Sequence, residues 1–410
     1  MATQIFTNIS LIANTRTSPG FIRGKELSNL PSVKDAYIVI EDDTIAEIGK
    51  MEKFRFSKES FSLKDNTIIL PCWCDSHTHI VFAASREEEF LDKIKGLSYA
   101  EIAAKGGGIL NSARKLNAAS EEELFNSAWK RLEEISKLGT GAVEIKSGYG
   151  LSVEGELKML RVIKKLKEKS QLKIKSTFLG AHAFPLEFKE DHKGYIDSII
   201  NKMLPVIATE KLADYVDVFC EKGFFSAEQM TAICLAAKKY GLKPKLHVNQ
   251  LNSIGGIESG ISLDALSLDH LETLTANDLE LLGNFNGSST LLPTAAFFLN
   301  MPLQPARSLI NAGAAVTLAS DYNPGSSPSG NMNFVVALSC IQMKMLPEEA
   351  LNAATFNGAC AMEIENDYGS IAVGKKANLI FTQPVPSLSY LPYSFGNNLI
   401  DKVMINGSFI

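Results

Sequence analysis

The chain has 410 residues, of which 45% are hydrophobic, and its 41 basic and 46 acidic side chains give a formal net charge of −5. This length exceeds a usual single hydrophobic core, so we expect one large domain and one smaller one. The acidic balance argues against a nucleic-acid surface, which needs a concentrated basic stripe. The N-terminus lacks a basic segment followed by a long apolar one, and no uninterrupted apolar stretch of about 18 residues occurs. We therefore expect a cytoplasmic protein that does not enter a membrane.

The two ends of the chain share one pattern. Residues 1 to about 66 alternate apolar and polar side chains between turn signals, as in VKDAYIVIEDDTIAEIGK. The tail reads in the same way in GSIAVGKKANLIFTQ and LIDKVMINGSFI. Such alternation is typical of short β-strands and hairpins. We predict a small β-domain made from residues 1–66 and 367–410, with residues 67–366 inserted between them as a larger domain.

The central segment contains short apolar runs that alternate with amphipathic stretches, as expected when parallel strands are buried beneath helices. Two of the predicted helices carry capping-box pairs, Ser120 with Glu123 and Ser226 with Gln229. The strand-like runs are TIILPCWCDSHTH, GAVEIKSGYG, KIKSTFLGAHA, YVDVFCEKG, KPKLHVNQ, ALSLDHLE, SSTLLPTA and AVTLASDYNPG. Eight consecutive βα units predict a (β/α)₈ barrel, in which the active site gathers where the strands end.

Polar residues lie at the ends of these runs, and among them are five of the six histidines in the chain. In an extended segment, side chains at i and i+2 point to the same side, so His77 and His79 can present both imidazoles to one point. His247 and Asp321 would join them at the barrel axis. Three nitrogens and one carboxylate oxygen suit Zn²⁺ or Fe²⁺ with an open position for water. A single histidine is more often a hydrogen-bonded core residue, so the prediction depends on their common position.

These residues resemble the amidohydrolase superfamily, whose first barrel strand ends in H-x-H and whose last ends in an aspartate. The resemblance covers nearly the whole chain and rests on DSHTHIVFAASREEEF, GLSYAEIAAKGGGI, EIKSGYGL, FLGAHAFP, HVNQ, LDHLE and SDYNPGSSP, in that order. It implies a (β/α)₈ barrel with a small β-sandwich domain, a homodimer, and zinc or iron (Zn²⁺, or Fe²⁺/Fe³⁺) as the metal. More narrowly, the chain resembles those members that act in L-histidine degradation and hydrolyse 4-imidazolone-5-propanoate to N-formimidoyl-L-glutamate.

The chemistry implied by this resemblance uses water as the nucleophile. Asp321 is expected to accept the water proton and return it to the leaving ring nitrogen. His270 is expected to orient the water or to support the developing oxyanion, with the role of a fourth nitrogen ligand as the alternative. Arg86, in the loop after the first strand, is expected to clamp the propionate carboxylate. Its alternative is a solvated helix start, because acidic residues 87–89 follow it.

Further residues are expected to contact the substrate. Tyr149 and His182 resemble substrate-contacting residues of the family; Tyr149 can hydrogen-bond or stack, and His182 can polarise the ring carbonyl. Asn323, Gly325 and Ser326 form a turn whose donors can hold the carboxylates of the product. A plain turn is the alternative for these three.

Two departures from the family pattern refine the prediction. Many members carry glutamate three residues after the histidine of the fifth strand, where this chain has Gln250, which can hydrogen-bond the imidazolone ring but cannot act as a general base. Binuclear relatives place a carboxylated lysine at the end of the fourth strand, where this chain reads VFCEKGF. Lys222 there is interpreted as a loop charge, so we expect one metal ion. Another metal-dependent cyclic amidase or deaminase, or a non-catalytic relative, stays open as the function.

Overall fold

The chain forms one parallel β-sheet, one mixed β-sheet and the helices that cover them. The structure, a computed structural model, describes residues 3–56, 59–97, 101 and 105–410. In this part of the chain the strands are β1 (Thr3–Ala13), β2 (Ser32–Glu41), β3 (Thr44–Lys50), β4 (Phe61–Ser62), β5 (Ile68–Pro71), β6 (Trp73–Thr78), β7 (Thr140–Lys146), β8 (Lys173–Ala181), β9 (Tyr215–Cys220), β10 (Lys243–Val248), β11 (Ser267–His270), β12 (Ser288–Leu291), β13 (Val316–Leu318), β14 (Leu379–Thr382), β15 (Ile400–Ile405) and β16 (Ser408–Phe409).

Strands β6 to β13 form the predicted barrel. They lie in sequence order in one sheet, and every neighbouring pair is parallel. The two ends of the sheet meet through a parallel bridge between Thr78 and Tyr322. The backbone N–H of Asp321 donates to the carbonyl of His77 at 3.0 Å, and the N–H of His79 donates to the carbonyl of Tyr322 at 2.9 Å. This closure brings the H-x-H segment beside the aspartate that follows the last strand.

Helices surround the barrel and follow its strands. The described α-helices are Glu87–Ile94, Gly108–Ala118, Glu121–Lys137, Val153–Lys169, His192–Ser198, Leu204–Glu210, Ala227–Lys238, Gly256–Ser262, Ala276–Asn284, Pro293–Phe298, Ala306–Ala312, Met332–Ile341, Pro347–Ala354, Phe356–Cys360 and Tyr390–Tyr393, with a π-helical turn at Ile199–Met203 and 3₁₀ turns at Gly24–Ser28, Met51–Lys53 and Leu186–Phe188. Both predicted capping boxes are present, at Ser120 with Glu123 and at Ser226 with Gln229. None of the described helices combines the length and apolar character needed to cross a bilayer.

The second sheet joins the two ends of the chain. Its strand order is β16-β15-β14-β5-β1-β2-β3, with β4 paired to β1. A separate apolar cluster covers it, drawn from strands of both ends, for example Ile9, Ile38, Leu379 and Met404. A smaller domain built from both termini is therefore present beside the barrel.

The run TIILPCWCDSHTH, predicted as one strand, is two. Its first part, β5, hydrogen-bonds to β1 and β14 of the small sheet, whereas β6 pairs with β7 of the barrel. Cys72 lies between them, and its backbone N–H donates to Asn378 in the tail. We therefore propose that the chain leaves the small domain between Pro71 and Trp73, a few residues after the boundary expected at residue 66.

Candidate functional site

Barrel closure places four of the predicted site residues together at the carboxyl ends of the strands. His77 and His79 come from β6 and the residue after it, and their ring centroids are 5.4 Å apart. His247 lies in β10, with its Nε2 at 3.1 Å from Nε2 of His77. Asp321 Oδ1 lies 3.6 Å from Nε2 of His77 and 3.5 Å from Nε2 of His79. All four side chains are buried.

The three imidazoles form a group that could hold a metal ion. One ligand atom from each of His77, His79 and His247 lies within 4.8 Å of the others. Burial is the main cause that holds the pKa of each ring well below its ordinary value, and the charge of Lys146 lowers all three further. The rings are therefore neutral, as metal ligands must be.

The tautomers of two of these rings test whether a metal ion fits. His77 Nδ1 lies 2.6 Å from Asp269 Oδ2, and His247 Nδ1 lies 2.7 Å from Asp217 Oδ2. Because a carboxylate accepts hydrogen bonds, each neutral ring carries its single proton on Nδ1. The Nε2 lone pairs of His77 and His247 then face each other at 3.1 Å, an arrangement that is repulsive without a cation. The donor set therefore fits a metal ion.

Asp321 and His270 lie beside this group with unusual backbone conformations. Their φ angles are +53° and +85°, a left-handed region that non-glycine residues adopt at a cost. Burial raises the pKa of Asp321 to about 6, against the opposing effects of His270 and of hydrogen bonds from Ser326 and Asn323. Burial acts to lower the pKa of His270, but the charge and the hydrogen bond of Glu272 outweigh it and raise the pKa.

A small cavity opens on two of the three imidazoles, His79 and His247. It is lined by His79, Tyr149, His182, Phe219, His247, Gln250, His270, Asp321, Asn323 and Ser326. The ring of His79 stacks beside that of His182 at 5.6 Å between centroids, and Tyr149 lies 5.5 Å from His182. Most of the residues predicted to touch a substrate therefore surround one space; Arg86 and Gly325 are not among its lining residues.

Arg86 directly precedes the helix Glu87–Ile94, which agrees with the alternative interpretation as a solvated helix start. Its side chain, however, is only 12% exposed. Its Nε donates to Ser112 Oγ at 2.8 Å, and its guanidinium carbon lies 5.9 Å from the ring centre of Tyr149. Its Nη2 is buried without a hydrogen-bond partner. A Cβ at Gly325 would lie 2.7 Å from Nη1 of Arg86, so glycine permits this close approach. A buried N–H without a partner is what a bound carboxylate would satisfy.

The turn from Asp321 to Ser326 is held by its own hydrogen bonds. Asn323 Oδ1 accepts from the backbone N–H groups of Gly325 at 2.7 Å and Ser326 at 2.8 Å. Asn323 Nδ2 donates to the Asp321 carbonyl at 2.6 Å, and Ser326 Oγ donates to Asp321 Oδ2 at 3.1 Å. The donors expected to hold a product carboxylate are paired within the turn, and two of these bonds end on Asp321.

The loops after β9 and β10 are linked through a carboxylate. Glu221 is buried and accepts from the backbone N–H groups of Leu251 at 2.8 Å and Asn252 at 3.1 Å, which fixes the segment that carries Gln250. Lys222, its neighbour, is exposed. The end of the fourth barrel strand is therefore followed by a buried glutamate and an exposed lysine.

Sequence reasoning missed a cluster of buried charges beneath the imidazoles. Its members are fully or almost fully buried within the barrel strands: Glu144, Lys146, Asp217, Lys245 and Asp269. The available signal was a charged residue within each of several runs otherwise typical of buried strands, such as YVDVF and LDH. Charges at such positions are retained only when they are paired.

Comparison with known proteins assigns the chain to a family. Residues 68–410 match the profile of the Amidohydrolase family. An imidazolonepropionase of Flavobacterium johnsoniae is 56% identical over 411 residues, covering 100% of both chains. One from Christiangramia forsetii is 52% identical, also over 100% of both chains, and one from Thermoanaerobacter pseudethanolicus is 42% identical over 93% of this chain and 91% of its own.

Solved structures support the same fold at much lower identity. A triazine hydrolase variant superposes with a TM-score of 0.74 at 13% identity, covering 99% of this chain and 94% of its own. Escherichia coli guanine deaminase gives a TM-score of 0.72 at 13% identity, covering 100% and 99%. The chain therefore belongs to the amidohydrolase family, and within that family to the imidazolonepropionase group.

Proposed function

We propose that the protein hydrolyses the ring C–N bond of 4-imidazolone-5-propanoate to N-formimidoyl-L-glutamate, a step of L-histidine degradation. The observation that carries the proposal is the convergence of three neutral imidazoles and a carboxylate near one cavity, with the guanidinium of Arg86, whose Nη2 is buried without a partner, 5.9 Å from the Tyr149 ring in the cavity lining. One group suits a metal ion and the other suits an anionic substrate. Full-length similarity to imidazolonepropionases supports the same substrate.

His77, His79, His247 and Asp321 would hold a single metal ion, zinc or iron. An ion bound there supplies Lewis-acid chemistry, which lowers the pKa of water from about 15.7 toward roughly 7. The inward position of Glu221 and the exposure of Lys222 favour one ion over two.

The substrate is held through its carboxylate and its ring. Arg86 would form a bidentate pair with the propionate, and Ser112 would keep the guanidinium in place for it. Tyr149 and His182 would contact the ring, with His182 near its carbonyl. Gln250 would hydrogen-bond the ring without taking its proton.

Two side chains would move the protons. Asp321 would accept a proton from the attacking water while the water oxygen bonds to the ring carbonyl carbon. It would then deliver that proton to the ring nitrogen as the C–N bond breaks. Ser326, whose hydroxyl donates to Asp321, would keep the carboxylate oriented. His270 would stabilise the oxyanion that develops on the carbonyl oxygen.

The proposal also includes a cytoplasmic homodimer acting on a small-molecule substrate alone, without nucleic acid or membrane. The net charge of −5 supports the absence of a nucleic-acid partner. Light scattering coupled to size-exclusion chromatography would test the dimer by mass.

The direct test is incubation of metal-replete protein with freshly generated 4-imidazolone-5-propanoate. The ultraviolet absorbance of the substrate should disappear, and mass spectrometry should identify N-formimidoyl-L-glutamate. Turnover of a neutral cyclic amide or aminated heterocycle, without turnover of the acid, would instead identify another cyclic amidase or a deaminase. No turnover of either would contradict the proposal.

A further inference from the structure

Lys146 is a fully buried lysine inside the barrel, beneath the imidazoles. It ends β7, two residues after Glu144, so both side chains point to the same side of the strand. Its Nζ lies 2.7 Å from Glu144 Oε1, 2.9 Å from Asp217 Oδ2 and 3.7 Å from Asp269 Oδ2. Burial acts to lower the pKa of this ammonium, but the carboxylates outweigh it and raise the pKa, so the group stays charged.

The oxygens that Lys146 contacts are the same ones that fix two of the imidazoles. Asp217 Oδ2 lies 2.7 Å from His247 Nδ1 and 2.9 Å from Lys146 Nζ. Asp269 Oδ2 lies 2.6 Å from His77 Nδ1 and 3.7 Å from Lys146 Nζ. One ammonium therefore sits between two carboxylates on different strands, each of which orients one imidazole.

We propose that Lys146 is a positioning residue for the metal centre: its ammonium fixes Asp217 and Asp269, which in turn hold His247 and His77 with Nε2 directed at a shared point. Without the ammonium, two buried carboxylates would lie near each other with one counter-charge fewer, and would turn toward other donors. Carboxylates that orient metal-bound imidazoles commonly matter 10- to 100-fold for metal affinity. The inference rests on the metal centre of the proposed function.

The chain offers a matched control in Lys245. This lysine is equally buried and lies in the same cluster, at 3.0 Å from Glu144 Oε2. Its other contacts are Ser267 Oγ at 3.0 Å and the carbonyl of Ala361 at 2.9 Å. Both lysines thus compensate buried carboxylates, and the charge of Lys245 also acts to lower the pKa of Asp269. Lys146 is the one whose Nζ contacts both Asp217 and Asp269 directly.

The experiment compares Lys146→Met with Lys245→Met in the full chain, using Zn²⁺ as the probe. Dissociation constants are measured by competition with a chromophoric chelator, and the melting temperature of the metal-free protein is recorded in parallel. Both substitutions should lower the melting temperature, because each leaves a buried carboxylate without its partner. Lys146→Met should weaken Zn²⁺ binding by about tenfold or more, whereas Lys245→Met should change it by less than about threefold. A purely structural role would move the melting temperature alone.

A second variant keeps the proposal testable if Lys146→Met does not fold. The pair Lys146→Met with Glu144→Gln removes one charge of each sign, so the net charge of the cluster is unchanged. It should fold and still bind Zn²⁺ about tenfold more weakly than the unaltered protein. Equal Zn²⁺ affinities of the altered and unaltered proteins would overturn the role of Lys146. An unaltered protein that takes up no Zn²⁺ would instead overturn the proposed metal centre, and the role of Lys146 with it.

Discussion

Arg86 is anchored by Ser112: the guanidinium Nε donates to the serine Oγ at 2.8 Å. The two residues lie in different segments, Arg86 just before the helix Glu87–Ile94 and Ser112 within the helix Gly108–Ala118. This bond uses one side of the guanidinium and leaves Nη2 buried without a partner. Nη1 also lies 4.0 Å from Glu89 Oε2, so the cation is held in place before substrate binds, and little conformational entropy is lost when a carboxylate reaches it.

Replacement of Arg86 should weaken substrate binding. We expect Arg86→Ala to cost about 2–4 kcal/mol, on the order of 30- to 1,000-fold in kcat/KM, mostly through KM, because a desolvated carboxylate would lose its charged partner. Steady-state kinetics with 4-imidazolone-5-propanoate measures the change. Arg114→Ala is the control, since Arg114 is exposed on the neighbouring helix. An unchanged KM in Arg86→Ala would remove the clamp from the mechanism.

Substitution of the imidazoles should abolish metal binding. We expect His77→Ala and His247→Ala to lose most bound metal in elemental analysis after purification, because each removes one of three nitrogen ligands. His192→Ala is the matched control. The ring of His192 stacks on that of Phe184 at 3.7 Å between centroids, away from the three imidazoles. Metal content equal to that of the unaltered protein in both ligand variants would place the ion elsewhere.

The sequence was sufficient to predict the barrel and the convergence of its strand ends, but the partners of each group needed the structure. His77, His247 and Asp321 could be predicted to meet because parallel strands that follow one another end at the same edge of a sheet. Lys146 and Asp217 could not be paired in this way, because alternation indicates which side of a strand a residue faces and carries no information on distances across the barrel. The hydrogen bond from the Gly325 backbone N–H to Asn323 Oδ1 is another such case, since the turn sequence gives no sign of this pairing.

Gln250 should contribute to binding and contribute little to proton transfer. We expect Gln250→Ala to lower kcat/KM about tenfold, the effect of one hydrogen bond of roughly 1–1.5 kcal/mol. Asp321→Asn should lower kcat far more, by about 10²- to 10⁴-fold, because it removes the proposed general base. Kinetics and metal analysis of both variants test the difference. A loss in Gln250→Ala as large as that in Asp321→Asn would contradict the division of roles.

Glu156 supports the loop that carries Tyr149. Its buried carboxylate accepts from the backbone N–H groups of Gly148 at 3.0 Å, Gly150 at 2.7 Å and Leu151 at 3.0 Å. Glu156→Ala would leave three buried donors unpaired, each at a cost of about 1–3 kcal/mol, so we expect the free energy of unfolding to fall by about 3 kcal/mol or more. Urea denaturation measures the loss.

The same substitution should also alter the pocket, because the loop holds two of its side chains. His182 Nδ1 donates to the carbonyl of Gly148 at 2.9 Å, so a displaced loop moves His182 together with Tyr149. We therefore expect KM to rise in Glu156→Ala at temperatures where the protein stays folded. Glu154→Ala, on the exposed side of the same helix, should change stability by less than about 0.5 kcal/mol and leave KM unchanged. If Glu156→Ala is destabilised but keeps the KM of the unaltered protein, the loop holds Tyr149 and His182 in position without the carboxylate, and the predicted effect on the pocket is wrong.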